Sequence, residues 1–185
     1  MGVKPDSWIR TMVARYQMIE PFVDHQVRRG ISHGLSSYGY DFRLAPEFHR
    51  YQPPDNVVCI DPKTIDPRYF DTEVGTVCEL PPGGYCLGRT IEYFRIPRDI
   101  LTICYGKSTY ARCGVVINVT PFEPEWEGFA TISIANCSGR PVRLYANEGI
   151  GQVIFLAADG ACDVSYADRK GKYQAQRAVT PARAD

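Results

Sequence analysis

Short apolar runs separated by proline and glycine fill the chain from residue 57 onward. Fourteen prolines and sixteen glycines punctuate the sequence, and no amphipathic stretch of useful helical length separates one apolar run from the next. This pattern favours a barrel or sandwich of β-strands over alternating β-α units. The predicted strands cover residues 57–60, 74–80, 85–94, 100–104, 115–119, 129–135, 142–145 and 151–156.

The N-terminal part of the chain has a different pattern. Apolar residues at helical spacing predict a helix over residues 7–16, capped by Asp6. Its apolar face consists of Trp8, Ile9, Met12 and Val13. A second short helix is predicted over residues 23–28, and glycines then break the chain before a strand over residues 36–44. We therefore expect a mainly β fold with short N-terminal helices.

Composition narrows the class of protein. The chain has 185 residues, which suits one domain, and its 21 basic and 21 acidic residues cancel, which argues against a nucleic-acid partner. No apolar run approaches the roughly 18 residues of a membrane-spanning helix. The seven cysteines are odd in number and form no C-x-x-C pair, so we expect reduced cysteines in a cytoplasmic protein. The three histidines have no Cys or His at zinc-ligand spacing, so no metal held by the protein itself is expected.

The segment at residues 106–114, with the sequence GKSTYARCG, is polar and cationic between two apolar runs. Lysine supplies a point charge, arginine a planar fork, and serine and threonine supply hydroxyl donors, while glycine allows close backbone approach. One interpretation is an anion site that binds a polyphosphate. The other is a solvated turn with a helical tip. These nine residues alone leave both open.

Five motifs in order along the chain resemble the dCTP deaminase and dUTPase superfamily. They are SSYGYD at 36–41, GKSTYAR at 106–112, PEWEG at 124–128, NEGIGQ at 147–152 and KYQAQ at 172–176. The resemblance covers nearly the whole chain and is closest to the dCTP deaminase branch. It implies a single dUTPase-like domain over residues 1–185, a distorted β-barrel of the β-clip type, with a C-terminal lid over about 168–185.

The resemblance also implies a function. It predicts a hydrolase of pyrimidine deoxynucleotide metabolism that deaminates dCTP to dUTP without zinc. This agrees with the absence of the H-x-E and P-C-x-x-C signatures of zinc deaminases. It further implies Mg²⁺ held through the triphosphate, and a homotrimer with active sites at the subunit interfaces.

The family's binding residues carry over onto matching positions. Lys107, Ser108 and Arg112 would hold the phosphates and the region of the reacting water. Glu123 would bond the sugar 3'-hydroxyl, and the strand from Thr131 to Ser133 would run along the base. The complete predicted set of substrate-binding residues is Lys107, Ser108, Thr109, Tyr110, Ala111, Arg112, Glu123, Thr131, Ile132, Ser133, Gln152, Tyr166, Lys172 and Gln176, with Ser108, Arg112 and Ser133 at the catalytic positions.

One position departs from the family pattern. Residues 131–136 read TISIAN, and Ser133 stands where the pattern has the catalytic glutamate. A neutral serine cannot take the proton of the attacking water near pH 7 without a base of its own. Three interpretations stay open: a dCTP deaminase with weak or altered catalysis, a pyrophosphohydrolase or deaminase acting on another nucleotide, and a non-catalytic nucleotide-binding or regulatory protein.

Overall fold

The computed structural model describes residues 2–183 and is mainly β. The predicted domain and lid extend to residues 1, 184 and 185, which lie outside this description. The helices are α1 (Asp6–Tyr16), α2 (Ser108–Ala111) and a 3-10 helix (Pro67–Tyr69). The strands are β1 (Gly2–Val3), β2 (Ile19–Glu20), β3 (Gln26–Val27), β4 (His33–Ser36), β5 (Gly39–Arg43), β6 (Glu47–Tyr51), β7 (Phe70–Val74), β8 (Val77–Leu80), β9 (Tyr85–Arg95), β10 (Ile100–Gly106), β11 (Val115–Asn118), β12 (Glu127–Asn136), β13 (Val142–Tyr145) and β14 (Gly149–Ala157).

Two larger sheets carry the architecture. In the first, β14 pairs along one edge with β10 and along the other with β1 and β5, and β4 and β3 extend the sheet beyond β5. In the second, the strand order is β11-β12-β9-β6-β7, with β2 also pairing with β9. Strands β8 and β13 form a small separate pair. All of these pairings are antiparallel, which agrees with the predicted barrel or sandwich of short strands.

The core lies between the sheets and is rich in aromatic residues. Tyr40, Phe42, Phe48, Phe94 and Phe155 are completely buried. Helix α1 closes one side of this core through the predicted apolar face, because Ile9 is buried and Trp8 packs against Phe155 with ring centroids 6.0 Å apart. The predicted cap at Asp6 is wrong: the helix begins at Asp6, and Pro5 occupies the N-cap position without a side-chain hydrogen bond. The Asp6 carboxylate instead accepts a hydrogen bond from the Ser7 amide inside the first turn. No helix within residues 2–183 is long and apolar enough to cross a membrane.

The predicted helix over residues 23–28 is wrong. Residues Gln26–Val27 form β3 and pair with β4, and the Leu35 amide donates to the Val23 carbonyl at 3.0 Å. Pairing with a later strand therefore overrides the local helical preference of this short segment.

The predicted strand over residues 57–60 is also wrong. This segment has no pairing partner strand, and Val58 is 99% exposed. Two other predicted strands each include a turn: 36–44 contains the last residue of β4 and all of β5, and 74–80 contains the last residue of β7 and all of β8. The remaining predicted strands coincide with β9 to β14.

Candidate functional site

A cavity of about 880 Å³ opens on the outward face of β12; we call it the β12 cavity. Its walls come from β12, from the β11–β12 connection, from aromatic residues of β6, β7 and β9, and from the C-terminal segment. Five of the predicted site residues line it: Glu123, Thr131, Ser133, Tyr166 and Gln176. The fold thus brings together residues separated by more than fifty positions in the sequence.

The alternation of β12 explains which of its side chains reach the cavity. Thr131 and Ser133 are half-buried and line the cavity, whereas Ile132 and Ile134 are completely buried in the core. Side chains alternate between the two faces of a strand, so a pattern of polar and apolar residues places the polar ones on the cavity side. The predicted site residue Ile132 can therefore contribute only its backbone to this site.

Ser133 lies in a neutral environment. The Tyr85 hydroxyl donates a hydrogen bond to the Ser133 Oγ at 3.1 Å, and Leu87 is the cross-strand neighbour of Ser133 on β9. Tyr51 packs edge-on against Tyr85 with ring centroids 5.9 Å apart. Glu123 is the one ionisable carboxyl group among the described residues that line the cavity, and it is ion-paired with Arg169. The cavity therefore supplies no unpaired carboxylate beside Ser133.

The C-terminal segment, residues 166–180, contributes one wall of the cavity. Gln176 forms a parallel bridge with Gly128, and its carbonyl accepts the Phe129 amide at 3.0 Å. Its side-chain Oε1 accepts a hydrogen bond from the Thr131 hydroxyl at 3.0 Å, and the Trp126 indole N–H donates to the Tyr173 carbonyl at 2.8 Å. The segment is thus fixed to β12 by backbone and side-chain bonds together.

Two further contacts shape this C-terminal segment. Arg98 binds the Asp168 carboxylate and the Glu125 carboxylate, each at 2.7 Å, and so links the segment to the body of the protein. Gly171 packs directly on the Tyr166 ring, because a Cβ at this glycine would lie 2.2 Å from a ring carbon. Lys172 lies on the outer side of the segment, with its ammonium 5.6 Å from the centroid of the Tyr173 ring.

The predicted phosphate loop lies apart from the β12 cavity within one chain. Its side chains Ser108, Thr109, Ala111 and Arg112 are exposed on helix α2, and Arg112 donates to the Ser108 hydroxyl at 3.3 Å. Tyr110 points inward: its hydroxyl accepts the Tyr145 amide at 3.0 Å, and burial raises the pKa of this phenol to about 12. The loop therefore presents hydroxyl donors and a guanidinium to solvent.

Lys107, which directly follows β10, and Gln152 on β14 form a separate group beside Asp41 of β5. The Lys107 ammonium is 2.7 Å from the Asp41 carboxylate and 3.0 Å from the Ser32 hydroxyl, and the two charged side chains are only 14% and 2% exposed. The Gln152 amide donates to the Ser36 hydroxyl at 3.1 Å. Lys107 is thus already neutralised by a buried partner, a contact that spacing along the sequence does not reveal.

The predicted residues consequently fall into two sets. The β12 cavity gathers one set, and the described cavity walls do not include Lys107, Ser108, Thr109, Tyr110, Ala111, Arg112, Gln152 or Lys172. Sequence reasoning missed Tyr85 and Asp41, which contact the predicted site residues Ser133 and Lys107, and it missed Tyr51, which packs against Tyr85. The motif SSYGYD contains Asp41, so its polar residue on an otherwise buried strand was the available signal. Nothing in the sequence around Tyr85 marks its role.

No group of three or more His, Cys, Asp and Glu side chains that could hold a metal ion occurs in the described part of the chain. The polar side-chain groups that line the β12 cavity are hydroxyls, an amide, an indole N–H and the Glu123 carboxylate, which is ion-paired with Arg169.

Comparison with known proteins gives concordant matches. The family model described as dCTP deaminase-like matches residues 3–158. The curated dCTP deaminases of Burkholderia cenocepacia (strain HI2424) and Burkholderia vietnamiensis (strain G4 / LMG 22486) are each 54% identical over 186 aligned residues, which cover 97% of this chain and 98% of the relative.

A solved structure shares the fold. The crystal structure of 2'-deoxycytidine 5'-triphosphate deaminase from Agrobacterium tumefaciens superposes with a TM-score of 0.66 at 15% sequence identity. The match covers 85% of this chain and 48% of that chain, so this protein spans about half the length of that one.

Proposed function

This chain belongs to the dCTP deaminase-like family, and we propose that it hydrolyses dCTP to dUTP and ammonia in pyrimidine deoxynucleotide metabolism. The observation that carries the proposal is the 54% identity to curated dCTP deaminases over nearly the full length of both chains. In the reaction, water adds to C4 of cytosine, the C4–N4 bond breaks, and the amine leaves as ammonia after gaining a proton.

The β12 cavity is the proposed nucleoside site. Thr131 and Ser133 would lie along the base, Glu123 would bond the sugar, and Tyr166 and Gln176 would cover the ligand from the C-terminal segment. What supports this assignment is that all five side chains line one cavity of about 880 Å³, which suits a nucleotide-sized ligand.

The phosphate loop would act from a neighbouring copy. Within one chain its exposed side chains Ser108 and Arg112 lie outside the cavity walls, so a site that uses both sets needs a second chain. This supports a homotrimer with sites between subunits. Lys107 would then act mainly by fixing the loop, because its charge is paired with Asp41. Gln152 and Lys172 remain proposed triphosphate contacts.

Mg²⁺ is the proposed cofactor, bound through triphosphate oxygens and water, which is the usual arrangement for magnesium with nucleotides. The described residues offer no protein cage that would compete with this arrangement. A cytoplasmic location is supported by the seven cysteines, which are all free.

Ser133 makes weak turnover part of the proposal. Loss of a positioned general base costs a factor of about 10² to 10⁴ in rate. The residual reaction would depend on a water polarised by Ser108 and Arg112. The same neutrality favours the second candidate function, a nucleotide-binding protein without turnover, since the cavity offers no unpaired carboxylate.

The full chain should be incubated with dCTP and, separately, with dUTP in the presence of Mg²⁺, with ammonia and pyrophosphate measured in parallel. Ammonia from dCTP is the expected result. Pyrophosphate without ammonia would replace the proposal with phosphate cleavage. If neither product forms while dCTP raises the melting temperature, the non-catalytic candidate takes its place.

Subunit mixing tests the assembly. Chains with Arg112→Ala and chains with Glu123→Gln should each be impaired, and refolding them together should recover part of the activity, because some mixed sites combine two intact halves. Light scattering should give the mass of three chains. Activity that does not recover on mixing, with both variants folded, would place both residues in one chain's site.

A further inference from the structure

The end of the β12 cavity at Ser133 holds hydroxyl groups where the family pattern has a carboxylate. Tyr85 and Ser133 carry two hydroxyl protons between them, and the hydrogen bond at 3.1 Å uses one. The other proton is available to an acceptor in the cavity, whichever of the two oxygens carries it. The pair can therefore always donate a hydrogen bond to a ligand, which an ionised carboxylate at this position could not do.

A third hydroxyl group, that of Tyr51, adds another hydrogen-bond donor to this wall of the cavity. The Tyr51 hydroxyl is buried and has no hydrogen-bond partner among residues 2–183, while its ring packs against Tyr85 and Phe70 on the same wall. A buried donor without an acceptor costs free energy, so this wall is short of acceptors. It is not short of donors.

The apolar surroundings of these hydroxyls strengthen any hydrogen bond that they donate to a ligand. Leu87, Phe70 and Ile65 make the neighbouring wall apolar, and the one carboxylate of the cavity, Glu123, is engaged by Arg169. In such surroundings a hydrogen bond to a ligand is stronger than in water, and an unmatched polar group is more costly.

Cytosine and uracil differ in the group attached to C4, the position taken to lie beside Ser133. Cytosine has an amino group at C4, which donates hydrogen bonds, whereas uracil has a carbonyl oxygen there, which accepts them. An ionised carboxylate only accepts hydrogen bonds and so suits the amino group. A hydroxyl pair with a free proton suits the carbonyl.

We propose that the Ser133–Tyr85 hydroxyl pair makes this chain select pyrimidine nucleotides with a carbonyl at C4, so that it binds dUTP more tightly than dCTP. Ser133 and Tyr85 act as specificity-determining residues for the base. The inference rests on the proposed function, in that the base is taken to lie beside Ser133. It implies that any deamination product is held more firmly than the substrate.

Calorimetric titration of the full chain with dCTP and with dUTP, both with Mg²⁺, tests the preference. Each titration is kept short relative to the slow turnover expected of this chain, and chromatography of the mixture afterwards measures the fraction of dCTP converted. We expect a dissociation constant about fivefold lower for dUTP, the ratio that one additional hydrogen bond provides. The double variant Tyr85→Phe/Ser133→Ala removes both hydroxyls and should bring the ratio close to one.

Two further variants sharpen the result. Tyr16→Phe alters an exposed tyrosine of α1 by the same single oxygen and should leave the ratio unchanged. Ser133→Glu restores an acceptor and should make dCTP the tighter ligand. Circular dichroism checks that each variant is folded.

Equal or tighter binding of dCTP by the natural chain would overturn the specificity inference while leaving deamination intact. A preference for dUTP that persists in the double variant would also overturn it, because the hydroxyls would not be its source. Binding of neither nucleotide would overturn the proposed function together with the inference.

Discussion

Replacing Ser133 with glutamate should raise the deamination rate, and the structure allows the gain to be bounded. The Ser133 side chain faces the cavity, and the Tyr85 hydroxyl lies 3.1 Å from its oxygen, so an introduced carboxylate would have a hydrogen-bond donor beside it. A positioned general base contributes a factor of about 10² to 10⁴. The neighbouring hydroxyl lowers the basicity of a carboxylate by bonding its charged form. We therefore expect an increase in kcat of at least about tenfold, toward the lower part of that range.

The same substitution should cost stability. The described cavity walls contain no cation that could pair with the new charge, so burial disfavours its ionised form. We expect the free energy of unfolding to fall by about 1–2 kcal/mol. For a chain of this size, Tm falls by about 2–4 °C for each kcal/mol lost.

The assay is ammonia release from dCTP under saturating substrate, with Ser133→Gln as the matched control. Glutamine has the size of glutamate but cannot take a proton from water, so its rate should stay at the level of the natural chain. An equal gain in both variants would show that volume and not basicity matters. An unchanged rate for Ser133→Glu, with dCTP still bound, would refute the role given to Ser133.

Three further predictions concern the framework of the site. Asp41→Asn leaves the Lys107 ammonium without its buried partner and should lower the free energy of unfolding by about 2–4 kcal/mol, measured by denaturant titration. Gly171→Ala brings a methyl group to 2.2 Å from a tyrosine ring and should speed proteolysis of the C-terminal segment without changing the far-ultraviolet circular dichroism. Asp168→Asn should do the same. A backbone amide three residues earlier and then Arg98 lower the pKa of Asp168, so its contribution is present at neutral pH and is lost as the pH falls through a value below 3.8. In the natural chain, proteolysis of this segment should accelerate only in that acidic range, and a variant that shows no change at neutral pH would contradict the anchoring role.

The strand pattern was readable from sequence wherever local alternation determines burial. Residues 142–145 were predicted as a strand and form β13 with the same bounds, because the alternation there matches a paired strand. The run 57–60 has similar apolar content but no partner strand, and content alone cannot reveal a partner. The helix predicted over residues 23–28 was wrong because this segment does have a partner strand: β3 pairs with β4, and that pairing cannot be read from the segment itself.

The candidate site was predictable as a set of residues, but its arrangement was not. The resemblance named both Ser133 and Lys107, yet their direct neighbours Tyr85 and Asp41 lie 48 and 66 positions away in the sequence. The Ser133–Tyr85 contact follows from the pairing of β9 with β12, and the Lys107–Asp41 contact follows from the pairing of both β10 and β5 with β14. The separation of the phosphate loop from the cavity follows from the same topology.

The Thr131 hydroxyl is already occupied by the C-terminal segment. It donates to the Gln176 side chain at 3.0 Å and accepts the Thr180 amide at 3.1 Å. A ligand that bonds this hydroxyl must exchange one hydrogen bond for another of similar strength, so the contact adds little to affinity. We expect its effect to fall on kinetics instead, because a ligand that uses this hydroxyl can enter and leave only when the segment detaches from β12. On this reasoning the C-terminal segment would set the rate of ligand exchange.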